Sequence, residues 1–280
     1  MPMQGSYSVS TYALIEHPLE EAVACLIEGG WRSIEVMGEG RHGELLEWPE
    51  ERLLRLQRLG EEHGIVWSLH APITGLNLAA AEEEAVRCTE AMLRRTLQIA
   101  CLLKCTHVVL HPGELAYREG VLSAADKDAA ASRAAHVLLK ALEQIEGTEV
   151  VLALENVPPY PGLLGTDADF LLQVVQKADS PRVGIVFDVG HAHLMGEGEC
   201  LSGLRRVMPH LVGVHWSDNE GRYDDHLRLG AGTVPLEEAV ALLQAAEYAG
   251  ASVLELRALD DVVASAAWMD ERCAHHSLRV

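Results

Sequence analysis

The most constraining feature of this 280-residue chain is its rhythm. A short, apolar, β-prone run is followed by an amphipathic helical stretch, and this pair recurs from one end to the other. Strands are expected at Tyr7–Thr11, Ser33–Met37, Ile65–His70, Thr106–Leu110, Glu149–Leu154, Val183–Phe187, Leu211–Val214 and Ser252–Leu254. Helices are expected at Leu19–Glu28, Pro49–His63, Glu82–Lys104, Ala124–Ile145, Asp167–Lys177 and Cys200–Met208, between Pro235 and Gly250, and at Asp260–Cys273. Punctuation agrees with this division. Pro18 and Pro235 stand where a helix opens and tolerates proline, and Gly29-Gly30, Gly64 and Gly147 stand where helices stop. Parallel strands need crossover helices, so eight β-then-α units predict an α/β fold, a closed (β/α)8 TIM barrel, rather than an open sheet. The length suits one such barrel, and no Gly/Ser/Pro-rich linker divides residues 1–280, which are read as a single domain.

Composition narrows the partners. With 49% hydrophobic residues the chain can bury a large core, and its formal charge of −20 opposes nucleic acid at long range. No run approaches the roughly 20 apolar residues a bilayer span requires. The opening Met1-Pro-Met-Gln-Gly-Ser has neither the basic nor the apolar region of a signal peptide. The six cysteines include no C-x-x-C pair, and Cys101 and Cys105 are expected to share a helix face as reduced core thiols. A reducing cytoplasm is the expected location, and self-association is left open.

Function is written at the carboxyl ends of the strands. Side chains of a parallel barrel alternate between the interior and the helix layer, so counting back in twos from a polar strand end tests where it points. His70 follows Ser68 and Val66, and His111 follows Val109 and His107. Glu155 follows Ala153 and Val151, and Asp188 follows Val186 and Gly184. His215 follows Gly213 and Leu211, and Glu255 follows Val253 and Ala251. Strands three to eight therefore each end in a His, Asp or Glu aimed at the barrel mouth. Carboxylates converging near a barrel axis repel one another and lose water, which is costly unless cations neutralise them. A divalent metal site at the C-terminal mouth is expected. Mixed imidazole and carboxylate donors suit zinc, manganese, iron, cobalt or nickel better than calcium or magnesium. The other histidines, at 17, 42, 63, 107, 136, 193, 210, 275 and 276, are read as structural or solvated.

These motifs resemble the xylose-isomerase-like barrel superfamily. The resemblance rests on Leu69-His70-Ala-Pro, His111-Pro-Gly113, Leu154-Glu155-Asn156, Asp188-x-x-His191 and His215-x-x-Asp218. Asp224-x-His226 with Leu229-Gly-x-Gly232, and Leu254-Glu255, complete it. That group includes sugar phosphate isomerases and epimerases, and also endonuclease IV. The resemblance implies two alternative metal sets. Glu155, Asp188, His215 and Glu255 match the single-metal site of the epimerases, with His191 as a substrate contact. His70, His111, Glu155, Asp188, His191, His215, Asp224, His226 and Glu255 together match the nine ligands of a three-zinc endonuclease site. One to three ions of zinc or manganese are therefore expected.

The leading expectation is a metal-dependent isomerase or epimerase acting on a small sugar or sugar phosphate. The resemblance implies proton transfer by Glu155 and Glu255 on opposite sides of the substrate, with His191 positioning an oxygen. Glu35, in the run Ile34-Glu35-Val36, is expected at the mouth, and Arg222, Arg228 or Arg257 could take a phosphate or carboxylate. The alternative is a multinuclear zinc phosphoesterase, which the extra ligands favour. The acidic loops after strands two and seven argue against DNA as its substrate, because gripping a duplex means neutralising several phosphates.

Overall fold

The structure, a computed structural model, describes residues 7–115 and 123–273; His275 and His276 lie outside the described residues. Eight parallel strands run in sequence order around a closed barrel: β1 (Ser8–Ser10), β2 (Ser33–Met37), β3 (Val66–His70), β4 (His107–Leu110), β5 (Val151–Glu155), β6 (Val183–Asp188), β7 (Leu211–Trp216) and β8 (Ala251–Leu254). Pairing of β1 with β8 closes the ring, with Val9 opposite Leu254.

Helices α1 (Leu19–Glu28), α2 (Glu50–His63), α3 (Glu83–Leu103), α4 (Ala124–Gln144) and α5 (Ala168–Ala178) cover the first half of the outer layer. Helices α6 (Val189–His193), α7 (Glu199–Val207), α8 (Leu236–Ala245) and α9 (Leu259–Cys273) complete it. Local chemistry fixes their ends. Asp167 and Ser123 cap α5 and α4 by accepting from Phe170 N and Asp126 N at 2.9 and 3.1 Å. Helix α8 stops short of Gly250, because the chain turns through a left-handed Glu247 (φ 51°) instead. Helix α3 stops at Leu103, so Cys105 lies beyond it and does not share its face with Cys101. Cys105 is buried, as expected of a core thiol, and Cys101 is half-buried; Cys200 is buried, and Cys25 and Cys88 are exposed.

Most buried apolar residues lie between the strands and the helices. A second, small cluster of Val109, Ala153 and Val186 fills the barrel axis, as the alternation predicts, with Val212 packed against it. Val212 corrects the count on β7. A register shift pairs Ile185 with Leu211 but Val186 with Gly213, so the bulge turns Val212 inward and sends Leu211 to the helix layer. Above the bulge the parity is restored, and His215 faces the axis opposite Asp188 in register.

Among the described residues, no helix is long and apolar enough to cross a membrane.

Candidate metal centre

All nine residues expected as ligands converge at the C-terminal mouth, in three groups whose donor atoms could each hold an ion. The groups are Glu155, Asp188, His215 and Glu255; His70, His111 and Glu155; and His191, Asp224 and His226. Glu155 joins two of them. Its Oε2 lies 3.0 and 3.1 Å from Nε2 of His70 and His111, and its Oε1 lies 2.8 Å from His215 Nδ1. His215 Nδ1 is also 3.4 Å from Glu255 Oε2. Asp224 Oδ2 lies 3.3 Å from His191 Nε2 and 3.2 Å from His226 Nε2.

These groups are held from behind. Asn156 clamps Asp188, donating to its carbonyl and accepting from its N–H, both at 2.8 Å. Asp188 itself caps α6, accepting from His191 N at 2.6 Å, which brings His191 over the site. Asp218 organises the loop that carries Asp224 and His226. Its carboxylate accepts from the backbone N–H groups of Gly230, Gly232 and Val234 at 2.8–3.0 Å. Gly232 approaches so closely that a Cβ there would stand 2.3 Å from Asn219 O, which explains the Leu229-Gly-x-Gly232 run. Sequence reasoning assigned no role to Asn156 or Asn219; their adjacency to Glu155 and Asp218 was the available signal.

Electrostatics match the demand for a cation. Asp188 and Glu155 are wholly buried and Glu255 nearly so. Asp188 Oδ2, Asp224 Oδ1 and Glu255 Oε1 have no hydrogen-bond donor. Burial raises the Asp188 carboxyl to about 6, with the neighbouring carboxylates adding to the rise. Burial also acts to raise Glu155, but the His215 charge and hydrogen bonds from His111, His215 and His70 outweigh it and hold Glu155 well below the usual range. Burial opposes protonation of His70 and His226, yet the carboxylates beside them lift both to about 9. Buried oxygens with no donor among mixed imidazole and carboxylate ligands fit a divalent transition ion or zinc.

A cavity of about 350 Å³ opens above these groups. Glu155, Glu255, His70, His111, His191, Asp224 and His226 contribute its polar lining, and Tyr12, Ile15, Met37, Ile73, Tyr160 and Leu163 are among its apolar residues.

Four residues expected to contact substrate stand outside the cavity lining. Glu35 is not at the mouth: β2 runs two residues further, Met37 pairs with His70, and Glu35 pairs with Ser68 one layer below, fully buried. Arg222 and Arg228 are exposed and do not line the cavity. Arg257 also lies outside the lining and donates to Asp224 O at 2.8 Å, bracing the ligand loop. Of the other histidines, His42 is buried, bridging Thr11 Oγ1 and His17 O. His193 contacts Thr233 Oγ1 and joins none of the three groups.

Residues 24–272 match the model of the xylose isomerase-like TIM barrel, and the chain belongs to that family. It is similar in structure to a D-tagatose 3-epimerase-like protein, with a TM-score of 0.83 and 27% identity, covering 96% of this chain and 97% of that one. It is 22% identical over 242 residues to fructoselysine 3-epimerase from Shigella flexneri, covering 85% of each chain. A protein named probable endonuclease 4, from Thermotoga petrophila, is 27% identical over 204 residues, covering 64% of this chain and 66% of that one.

Proposed function

We propose that this protein is a metal-dependent epimerase or isomerase of a small sugar. The observation that carries the reading is the quartet Glu155, Asp188, His215 and Glu255, buried together at the base of a cavity sized for a small molecule. Similarity to a D-tagatose 3-epimerase-like structure and to fructoselysine 3-epimerase supports the same class of reaction. The quartet would hold a zinc or manganese ion. When bound, a divalent ion supplies charge that polarises a carbonyl and favours loss of the neighbouring carbon-bound proton.

The chain's own residues would do the rest. Glu155 and Glu255 are the carboxylates that would take the proton from one face of the substrate carbon and return it on the other. Both carboxylates line the cavity and so face a molecule bound there. His191, lining the cavity with Nε2 toward Asp224, would orient a substrate oxygen. Tyr12, Ile15 and Met37 would keep water from the reacting carbon, where low polarity strengthens each electrostatic contact. Among the described residues no Arg or Lys lines the cavity, which favours an unphosphorylated sugar over a sugar phosphate.

The test is solvent exchange. The metal-reconstituted protein, incubated in D2O with a panel of unphosphorylated ketoses, is expected to place deuterium on carbon in at least one of them. Absence of exchange in both ketoses and ketose phosphates would count against the reading.

A second reading has its own support. The groups His70–His111–Glu155 and His191–Asp224–His226 exceed what one ion needs, and a multinuclear phosphoesterase would use them. It predicts three zinc ions per chain and cleavage of an abasic duplex.

A further inference from the structure

The buried imidazoles of the ligand groups are supported in two different ways. His70, His191 and His226 each direct Nδ1 at a backbone carbonyl, that of Ala71, Asn156 and Glu255, at 2.7, 2.8 and 2.9 Å. Their Nε2 atoms are thereby left for the carboxylates of the site. His215 is reversed. Its Nδ1 faces Glu155 and Glu255, and its Nε2 lies 3.0 Å from Oε1 of Glu35, a carboxylate with no exposure. The angle of this contact falls outside a well-formed hydrogen bond, so the pair is close but not ideally aligned. Glu35 is itself held from below: Ser68 Oγ donates to Oε2 at 2.9 Å, and His107 Nε2 stands 3.5 Å away.

We propose that Glu35 is the positioning residue of the metal centre, fixing His215 in the orientation and tautomer that present Nδ1 to the ion. This inference rests on the metal-dependent reading above. A neutral imidazole carries one N–H, and a carboxylate can only accept. Glu155 Oε1, 2.8 Å from Nδ1, competes for that proton in the metal-free chain. With a cation held on the Nδ1 side the lone pair must point there, and the proton falls to Nε2, where Glu35 Oε1 waits 3.0 Å away. A carboxylate behind a ligating ring also raises the basicity of that ring, more than a neutral carbonyl does. Two features mark Glu35 as built for this task rather than for packing. It is a wholly buried carboxylate on the barrel axis, below the metal groups and beside the apolar cluster of Val109, Ala153 and Val186. Its Oε1 faces the one imidazole of the quartet, while Ser68 and His107 stand at its other oxygen.

The test is titration of the metal-free full chain with Co2+ alone, followed by absorption of the bound ion. Glu35→Gln is expected to weaken binding by about 10- to 100-fold. The metal-free protein should also lose stability, because Gln leaves the buried His215 without its carboxylate. The readout that a merely structural role would not move is therefore the absorption spectrum of the bound Co2+, which should change with the basicity of the His215 ring. Ser68→Ala, which keeps the carboxylate but removes one donor to it, should weaken binding less. Equal Co2+ affinity of Glu35→Gln and the parent chain would overturn the proposal while leaving the metal site standing. Failure of the parent chain to bind any divalent ion would instead sink the functional reading, and this proposal with it. If Glu35→Gln does not fold, nitrogen-15 NMR of the Zn2+-loaded parent chain decides. A His215 bound through Nδ1 with the proton on Nε2 is the expected result, and coordination through Nε2 would overturn it.

Discussion

The quartet at the base of the cavity and the trio above it are built on different foundations. Glu155 and Asp188 end β5 and β6, His215 is the last residue but one of β7, and Glu255 lies one residue past β8, so the barrel ladder fixes their spacing. His191, Asp224 and His226 instead sit on the five-residue helix α6 and on the loop after β7, where His226 adopts a left-handed φ of 48°. Side-chain hydrogen bonds hold them: Asp218 ties down three backbone N–H groups and Arg257 braces Asp224. A non-glycine residue in that conformation is held there at some cost by its surroundings. Strand ends suit an ion that stays in place; loop-borne groups suit contacts that adjust to a substrate.

The largest expected effect separates the two regions. Glu155→Gln should lower turnover by about 10³-fold or more, the range for loss of a general acid–base group, measured by deuterium incorporation into the sugar. Survival of activity would rule out Glu155 as the proton carrier. Removing the ion comes next. Chelation should lower the stability of the protein by about 2.7 kcal/mol relative to a sample at one hundred times the metal Kd, read by thermal denaturation.

Acidity sharpens the contrast further. In the metal-free state His70 and His226 titrate at about 9 and so are protonated at neutral pH. Ligands must be neutral, so binding at pH 7 should release protons, and affinity should fall as pH is lowered from about 9. Calorimetry in buffers of different ionisation enthalpy would show it. The linked stability has a definite sign. A raised imidazole pKa stabilises the metal-free fold below the unfolded value near 6.5, and this contribution is lost as pH rises through about 9. The smaller effects belong to the rim. Asp224→Asn should cost about tenfold in turnover, as one charge-assisted hydrogen bond would, with the first ion bound as before. Loss of one further ion in this variant, that of the His191–Asp224–His226 group, would favour the multinuclear reading. Arg222→Ala, outside the cavity lining, should leave KM unchanged.

Much of this was legible in the sequence because barrel strands obey a period of two. Parity from His111, Glu155 and Asp188 led directly to Val109, Ala153 and Val186, which do fill the axis. The failures have physical causes. Depth within the barrel depends on the register between strands, which a single strand does not carry. Glu35 was therefore expected at the mouth, although pairing with Ser68 sets it one layer lower. The β7 bulge reverses parity between Leu211 and Gly213, and no residue in that apolar run signals the extra one. Arginines close in sequence to the ligands could not be told from arginines close in space. Arg222 and Arg228 face solvent, and Arg257 is spent on a loop carbonyl.

If the buried quartet works on a sugar carbon beside a divalent ion, label from solvent must reach that carbon only when the ion is present. Mass spectrometry of ketoses incubated in D2O with metal-loaded and metal-free protein tests it most directly. Carbon-bound deuterium is expected with the loaded protein alone; equal absence of label from both, across phosphorylated and unphosphorylated ketoses, would contradict the proposed function.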